Sequence, residues 1–230
     1  MNYLLSTILY VLAGLVFLII GPFLLVVILI YPKSLYVMVI PFCRMMISVF
    51  GCSIQSNKKV PLNETYVIMA NHVSFLDVFA IPTVFTGKFT AVAASKNFKI
   101  PVYSTFLKKL KVVSINRSDR KQSIKGIKQA ENLIQNGYHV VILPEGTRTK
   151  DGNLGSFKKG GFHLAINTNA KILPITTKGL FQIKPINRWT LRPGIIKIDI
   201  GQPIDSENKS VDELLLETHV IFKNMLNNMN

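Results

Sequence analysis

The sequence NHVSFLD, residues 71–77, places a histidine and an aspartate five positions apart, directly after an apolar run. A histidine whose Nδ1 hydrogen is accepted by a carboxylate is a general base with a fixed tautomer and a stabilised imidazolium. No G-x-S-x-G motif and no cysteine near this stretch offers a protein nucleophile. His72 and Asp77 are therefore candidates for a base that takes a proton from a substrate hydroxyl while that hydroxyl attacks an acyl carbon.

The same stretch has a structural interpretation, because Ser74 and Asp77 have the spacing of a helix capping box. By itself the capping box is the simpler interpretation, but it leaves His72 unexplained. On a regular helix, two side chains five residues apart point roughly 140° away from each other and cannot touch. The two interpretations are compatible if His72 lies in a turn before the helix and Asp77 lies in the first helical turn.

A second polar stretch, LPEGTRTKDGNLGSFKKGG, is rich in basic residues and glycine. Gly155 and Gly160 have the spacing of a phosphate-binding P-loop, but Gly161 stands where that motif requires lysine. Two interpretations remain open: a solvated basic loop, or an anion site at the start of the helix that these glycines precede. Because a guanidinium binds phosphate in a bidentate manner, Arg148 and Arg117 are the candidates for phosphate binding.

Apolar runs of strand and helix length alternate around these motifs. The predicted strands are residues 65–71, 89–94, 111–117, 138–146, 171–179 and 194–204, and the predicted helices are residues 74–85, 101–110, 120–137, 160–168 and 210–226. This alternation predicts an α/β fold with a mixed, largely parallel sheet flanked by helices. Ligands of such sheets gather beyond the carboxyl ends of the strands. We therefore expect the polar clusters NHVSFLD, INRS and PEGTRT, each of which follows a predicted strand, to converge on one site.

An apolar segment precedes this domain. Residues 4–30 carry no charge and exceed the roughly 20 residues that a helix needs to cross a bilayer. A cleaved signal peptide is the alternative, but no basic residue precedes the run and no small-residue cleavage site follows it. Gly21-Pro22 predicts a kink or a break, which gives a tilted span or two re-entrant half-helices. Residues 35–51, which are interrupted by Pro41, are predicted to form a helix that lies along the membrane interface.

Charge is divided unevenly along the chain. The formal net charge of the 230 residues is +15, yet residues 1–57 hold only two basic residues and no acidic one. We therefore predict two parts: a transmembrane or interfacial helical anchor, residues 1–57, and a basic catalytic domain, residues 58–230. Basic residues follow the apolar run and none precedes it, which places the domain in the cytoplasm, at the inner membrane if the cell is bacterial. The positive charge then faces an anionic phospholipid surface, the expected partner. Electrostatic attraction to that surface contributes about 1 kcal/mol of binding free energy per nearby basic residue.

Other partners and ligands are not expected. No aromatic-basic RNA motif or recognition-helix pattern occurs, so the basic charge does not predict nucleic-acid binding. Cys43 and Cys52 have the pattern of neither a disulfide framework nor a metal site. The other three histidines, His139, His163 and His219, are interpreted as structural. We expect neither a metal nor a cofactor.

Five motifs, NHVSFLD, VSINRS, LPEGTRT, FKKGG and ILPI, occur in this order. They resemble the motifs of the glycerolipid acyltransferases, and in particular the 1-acyl-sn-glycerol-3-phosphate acyltransferases, over roughly residues 60–205. The resemblance implies that His72 is the general base and Asp77 its orienting partner. The residues that it implies for substrate binding are Asn71, Arg117, Glu145, Gly146, Thr147, Arg148 and Lys158.

The resemblance also implies the substrates. The acyl donor would be a thioester of coenzyme A or acyl carrier protein, a co-substrate rather than a cofactor. The acceptor would be lysophosphatidic acid and the product phosphatidic acid. Pro174 matches a motif linked to the donor or to packing.

The departures from the family pattern concern the acceptor more than the chemistry. They are Thr149 in place of Ser, Leu143 in place of Phe, Asn116 in place of Asp, and Ser104 and Lys111 in place of Gly. Two alternatives therefore stay open. One is the same chemistry on glycerol 3-phosphate, another lysophospholipid or a lyso-aminolipid; the other is a non-catalytic basic module that tethers at the membrane.

Overall fold

The computed structural model describes residues 3–100, 102–116 and 118–228. Its strands are β1 (Ser53–Ser56), β2 (Val67–Ala70), β3 (Phe89–Ala94), β4 (Val113–Ile115), β5 (His139–Ile142), β6 (Ile172–Lys178) and β7 (Ile195–Ile200). Its α-helices are α1 (Tyr3–Ile30), α2 (Leu35–Val49), α3 (Asp77–Ala80), α4 (Tyr103–Lys109), α5 (Arg120–Gln135), α6 (Gly160–Thr168), α7 (Leu180–Ile183) and α8 (Val211–Asn228). Strands and helices alternate after β2, as the sequence predicts.

The strands form one mixed sheet in the order β1-β7-β6-β2-β5-β3-β4. All neighbouring strands are parallel except β6 and β7, which are antiparallel. The predicted α/β fold with a largely parallel sheet is confirmed. Because β2 to β6 run in one direction, their carboxyl ends lie at one edge of the sheet. The loops after neighbouring β2 and β5 therefore meet there.

Two layers of helices cover the sheet. Ile68 and Ala70 of β2 pack in a core with apolar residues of α1, α2 and α3, whereas Val67 and Met69 pack in a second core with α5, α6 and α8. Alternate side chains of one strand thus enter different cores. All four residues of β2 are buried for this reason, as expected for a strand that is covered on both faces.

Several elements differ from their predicted form. The helix predicted over 74–85, with an interruption at Pro82, is shorter than expected: the four-residue α3 is followed by a 3₁₀ helix, Ile81–Val84, because Pro82 cannot continue an α-helix. Strand β1 was not predicted, since it is a short edge strand with mostly exposed residues. It lies within the segment assigned to the anchor, yet it pairs with β7.

The apolar N-terminal run forms a single helix. Of the kink or break predicted at Gly21-Pro22, the break is wrong, because α1 continues through Pro22 to Ile30; a tilted span stays a prediction. By length and composition, Tyr3–Ile30 and Pro32–Val49 are each apolar enough to cross a membrane. One stripe of α1, which includes Leu9, Leu24 and Ile28, packs into the core of the domain.

Candidate active site

The turn between β2 and α3 brings His72 and Asp77 together. The Nδ1 atom of His72 lies 2.7 Å from Oδ2 of Asp77. The same carboxylate oxygen accepts hydrogen bonds from the backbone amides of Val73 at 2.9 Å and Ser74 at 3.1 Å. The predicted reversal of the chain is therefore present, and three donors fix it. With Nδ1 donating to the carboxylate, Nε2 is left as the basic nitrogen of the ring.

The imidazole and the carboxylate differ in their access to solvent. The side chain of His72 is 23% exposed and that of Asp77 is 2% exposed. The second carboxylate oxygen, Oδ1, is buried without a hydrogen-bond partner among the described residues. The carboxylate is thus buried behind the ring, and the ring faces the surface, where a substrate can reach it.

The capping box is present in part. The Asp77 carboxylate accepts from the Ser74 amide, as the box requires. The Ser74 hydroxyl accepts from the amide of Leu76 at 3.3 Å rather than from that of Asp77, and it donates to the carbonyl oxygen of Lys184 at 2.7 Å. The helix cap and the His72–Asp77 pair both use Oδ2 of Asp77, so the two interpretations describe one turn.

Glu145 fixes the backbone of the histidine. Its Oε1 accepts from the His72 amide at 2.7 Å and its Oε2 from the Gly155 amide at 2.8 Å. The amide of Thr149 donates to the carbonyl oxygen of His72 at 2.9 Å, so both backbone polar groups of His72 are held by one loop. Burial raises the pKa of the Glu145 carboxyl, although the two backbone amides oppose the shift. Because each of its oxygens accepts a protein amide, Glu145 positions the histidine turn, and its predicted role in substrate binding stays a prediction.

Asn71 is also engaged with the protein. It is buried, its Nδ2 donates to the carbonyl oxygen of Thr177 at 3.0 Å, and its Oδ1 accepts from the Thr177 amide at 2.7 Å. This pair joins the end of β2 to β6. Asn71 therefore helps to position the end of β2, and its predicted contact with substrate stays a prediction.

Four more of the predicted substrate-binding residues lie on the loop after β5: Gly146, Thr147, Arg148 and Lys158. Gly146 adopts a φ of 75°, a left-handed conformation that favours glycine. Thr147 and Lys158 are exposed, and Arg148 is partly exposed. Arg117 lies outside the described residues. The clusters after β2 and β5 thus converge as predicted. The role of Arg117, in the cluster after β4, stays a prediction.

Two of the other three histidines, His139 and His219, have structural contacts. His139 is buried, stacks on Tyr66 and accepts from the Tyr66 amide through Nδ1 at 3.2 Å. His219 packs edge-on against Phe157, with Nε2 at 3.2 Å from the carbonyl oxygen of Gly155. His163 is exposed on α6. Within the part of the chain that the structure describes, no group of three or more His, Cys, Asp or Glu side chains is placed to hold a metal ion.

Two elements without a motif contact the site or its neighbours, and neither contact was predicted. The first is α1, whose Tyr10 ring lies 6.4 Å, centroid to centroid, from the ring of Phe75 in the histidine turn. The second is the segment after α7, which contacts both the turn and α1. The Tyr10 hydroxyl donates to the carbonyl oxygen of Trp189 at 2.9 Å, and the Ser6 hydroxyl bonds to the backbone of Leu191. No periodicity or motif in residues 184–192 signals these contacts.

Comparison with known proteins agrees with this site. The family model described as acyltransferase matches residues 51–178, which include all of the turn and the loop after β5. The chain is 33% identical over 165 residues to the chloroplastic 1-acyl-sn-glycerol-3-phosphate acyltransferase of Arabidopsis thaliana, an alignment that covers 70% of this chain and 46% of that protein. It is 32% identical over 144 residues to the 1-acyl-sn-glycerol-3-phosphate acyltransferase of Pseudomonas aeruginosa, with 62% of this chain and 55% of that protein covered.

The fold is that of a solved member. The crystal structure of a 1-acyl-sn-glycerophosphate acyltransferase from Thermotoga maritima superposes with a TM-score of 0.87 at 24% identity, covering 99% of this chain and 95% of that one. The chain spans about half the length of the curated relatives that it matches, 46% and 55% in the two cases above. The match over residues 51–178 nevertheless extends across more than half of this chain. The chain therefore belongs to the acyltransferase family.

Proposed function

We propose that this protein transfers a fatty acyl group from a thioester to the sn-2 hydroxyl of 1-acyl-glycerol-3-phosphate, which yields phosphatidic acid. The observation that carries the proposal is the 2.7 Å contact between His72 Nδ1 and Asp77 Oδ2. The contact leaves the opposite nitrogen of a partly exposed ring free to act as a base. The proposal is supported further by the names of the relatives, which are 1-acyl-sn-glycerol-3-phosphate acyltransferases.

The chemistry starts from neutral His72. Its Nε2 takes the proton of the acceptor hydroxyl while the oxygen attacks the thioester carbon, and the Asp77 carboxylate stabilises the imidazolium that forms. A tetrahedral oxyanion then collapses, the carbon–sulfur bond breaks, and the imidazolium returns the proton to the departing thiolate. The new ester is on the acceptor and the free thiol is on the carrier. No step in this sequence calls for a metal or a cofactor.

The acceptor must be oriented so that its sn-2 hydroxyl meets Nε2. Arg148 is suited to hold the glycerol phosphate, because its loop is bonded to the backbone of His72 through Thr149 and a guanidinium binds phosphate in a bidentate manner. Arg117 is proposed for the same phosphate on the basis of its motif. Fixing the phosphate limits which hydroxyl can reach the base.

The acceptor and the product are lipids, so we place the enzyme at a membrane. Helix α1 exposes large apolar side chains along most of its length, including Leu18 at 67% and Ile19 at 69%. The basic domain would lie against the phospholipid surface on the cytoplasmic side. The donor is acyl-CoA or acyl carrier protein, both of which would approach from the aqueous side.

The test is acyl transfer by purified protein with His72→Ala. Wild type is assayed with lysophosphatidic acid, glycerol 3-phosphate and a lyso-aminolipid, each with acyl-CoA and with acyl carrier protein. We expect transfer to lysophosphatidic acid, and a loss of at least about 10²-fold in kcat for His72→Ala. His163→Ala, which removes an exposed histidine of α6, is the matched control and keeps wild-type activity.

Other outcomes would redirect the proposal. Transfer only to another acceptor would keep the base and replace the substrate. Lipid binding without thioester consumption would identify a tethering module. Normal activity of His72→Ala would remove the histidine from the mechanism.

A further inference from the structure

The segment of residues 184–190, which follows α7, lies beside the two motifs that form the site. The Lys184 carbonyl oxygen accepts the Ser74 hydroxyl at 2.7 Å, which fixes the start of this segment to the histidine turn. Asn187 Nδ2 donates to the carbonyl oxygen of Lys150 at 3.3 Å, which joins the segment to the loop that carries Arg148. The backbone of Lys184 is therefore held beside the histidine turn, and its segment is joined to the proposed phosphate-binding loop.

The segment is shaped by its own basic side chains. Arg188 donates to the carbonyl oxygens of Thr190, Ile183 and Gln182, at 2.9, 2.7 and 2.5 Å. The ammonium of Lys184 donates to the carbonyl oxygen of Pro185 at 2.9 Å and to that of Arg188. An ammonium has three donors, so two hydrogens orient Lys184 and one is left for a ligand.

Lys184 and Arg148 are cations without a local counter-charge. Among residues 3–100, 102–116 and 118–228, no carboxylate forms an ion pair with either of them. Burial lowers the pKa of the Lys184 ammonium, and the charges of Arg148 and Arg188 lower it further. Like charges held close together without an acid are unfavourable, and a bound anion would relieve this repulsion.

We propose that Lys184 is a further cation for the phosphate of the acceptor, in addition to Arg148 and Arg117, and that the 184–190 segment therefore helps to select a phosphorylated acceptor. The proposal rests on the proposed function, because it assigns the phosphate of that substrate. It adds a residue that lies outside the recognised motifs and after the end of the matched region at residue 178. Cations on separate loops would fix the phosphate in position and in orientation, which the partly exposed Arg148 would not do by itself.

The experiment compares Lys184→Gln with Lys150→Gln, which removes an exposed lysine next to the same site but leaves the backbone carbonyl that Asn187 uses. For Lys184→Gln we expect the KM for lysophosphatidic acid to rise about 10- to 100-fold, as for the loss of a hydrogen bond to a charged group. The KM for the acyl donor and kcat stay within about threefold of wild type, because the lost contact holds the acceptor equally in the ground state and in the transition state. Lys184→Arg recovers part of the acceptor affinity, and Lys150→Gln resembles wild type.

A second readout separates phosphate binding from the shaping of the loop. Glycerol 3-phosphate is added to wild type, Lys184→Gln and Lys150→Gln, and its effect on Tm is measured without any acyl donor. We expect it to raise the Tm of wild type and Lys150→Gln, and to raise that of Lys184→Gln by less than half as much.

The results also distinguish this proposal from the proposed function. An equal Tm shift in all three proteins, or none in wild type, overturns the phosphate site even if acyl transfer is observed. A fall in kcat and Tm with unchanged acceptor KM leaves Lys184 only a structural role and overturns the proposal. A Tm shift that depends on Lys184, in a protein that does not acylate lysophosphatidic acid, supports the site while the proposed function fails.

Discussion

At the scale of single residues, the two oxygens of Asp77 have different surroundings. Oδ2 accepts from His72, Val73 and Ser74, whereas Oδ1 is buried without a partner among the described residues. An asparagine at this position can keep its oxygen at the place of Oδ2 and put its amino group at the place of Oδ1. The substitution would thus preserve the turn and remove the negative charge.

We predict that Asp77→Asn lowers kcat on the order of 10²- to 10³-fold, because the imidazolium loses its counter-charge while the ring keeps its tautomer. The acceptor KM stays close to wild type. Two unpaired amide hydrogens at a buried site cost about 1–3 kcal/mol of stability. Steady-state kinetics and thermal unfolding measure both effects, and Asp77→Ala, which loses all three hydrogen bonds, is the comparison. A variant with wild-type kcat would show that the carboxylate only shapes the turn.

The histidine turn also shows how far residue-scale prediction reaches. The contact of His72 with Asp77 is predictable because spacing and a capping pattern together require a reversal of the chain. The positioning roles of Asn71 and Glu145 are not predictable in the same way. Both depend on distant partners, Thr177 and Gly155, whose backbone groups carry no signature in the sequence.

At the scale of elements, one buried imidazole adds a side-chain hydrogen bond between two neighbouring strands. The Tyr66 amide, just before β2, donates to Nδ1 of His139, the first residue of β5. This bond exists only when Nδ1 carries no proton. Burial lowers the pKa of His139 below its ordinary value of 6.5, so the folded protein favours the neutral ring.

Acid should therefore destabilise the protein through His139. The unfolded chain takes up the proton as the pH falls through 6.5 and the folded protein does not, so stability is fully present above that pH and is lost below it, until the folded pKa is reached. The loss is at most roughly 1.4 kcal/mol per pH unit. Urea unfolding at pH values between 7.5 and 5.5 is compared with that of His139→Gln, which can still accept from Tyr66 but does not titrate. If both proteins lose stability equally, His139 is not the group responsible.

Elements are easier to predict from the sequence where they form a continuous apolar run. Strand β3, residues 89–94, matches its predicted bounds because it is a continuous run of strand length. Strand β1 lacks such a run, since three of its four residues are exposed, and only its pairing with β7 makes it a strand. The 184–190 segment has no periodicity at all, so its place beside the histidine turn depends on tertiary contacts.

At the scale of the whole molecule, α1 belongs to two environments. Its buried stripe joins the core of the domain, and Ser6 and Tyr10 bond to the backbone beside the site. Most of its other apolar side chains, including Leu18 and Ile19, are exposed. A uniformly apolar run does not indicate which stripe will face protein, so the sequence predicts a lipid-facing helix but not its contact with the catalytic turn.

The exposed stripe of α1 provides the last prediction, which concerns how the enzyme reaches its substrates. Leu18 and Ile19 are 67% and 69% exposed, and Leu216 of α8 is exposed to the same degree, 65%, on the other layer of helices. If α1 enters the lipid, a carboxylate on it costs about 2.5–3.5 kcal/mol near the bilayer centre, whereas one on α8 costs almost nothing. We therefore expect Leu18→Asp with Ile19→Asp to weaken binding to phosphatidylglycerol vesicles at least tenfold, and Leu216→Asp to leave it unchanged.

The activity of the same variants connects this surface to function. In vesicles, the double variant should lose activity in parallel with binding, because the proposed acceptor and product both reside in the leaflet. In detergent micelles, where no bilayer must be entered and neither side chain lies in the core, it should keep wild-type kcat. Equal vesicle binding by the double variant and Leu216→Asp would show that the basic surface alone holds the protein at the lipid, an interaction that salt would then abolish.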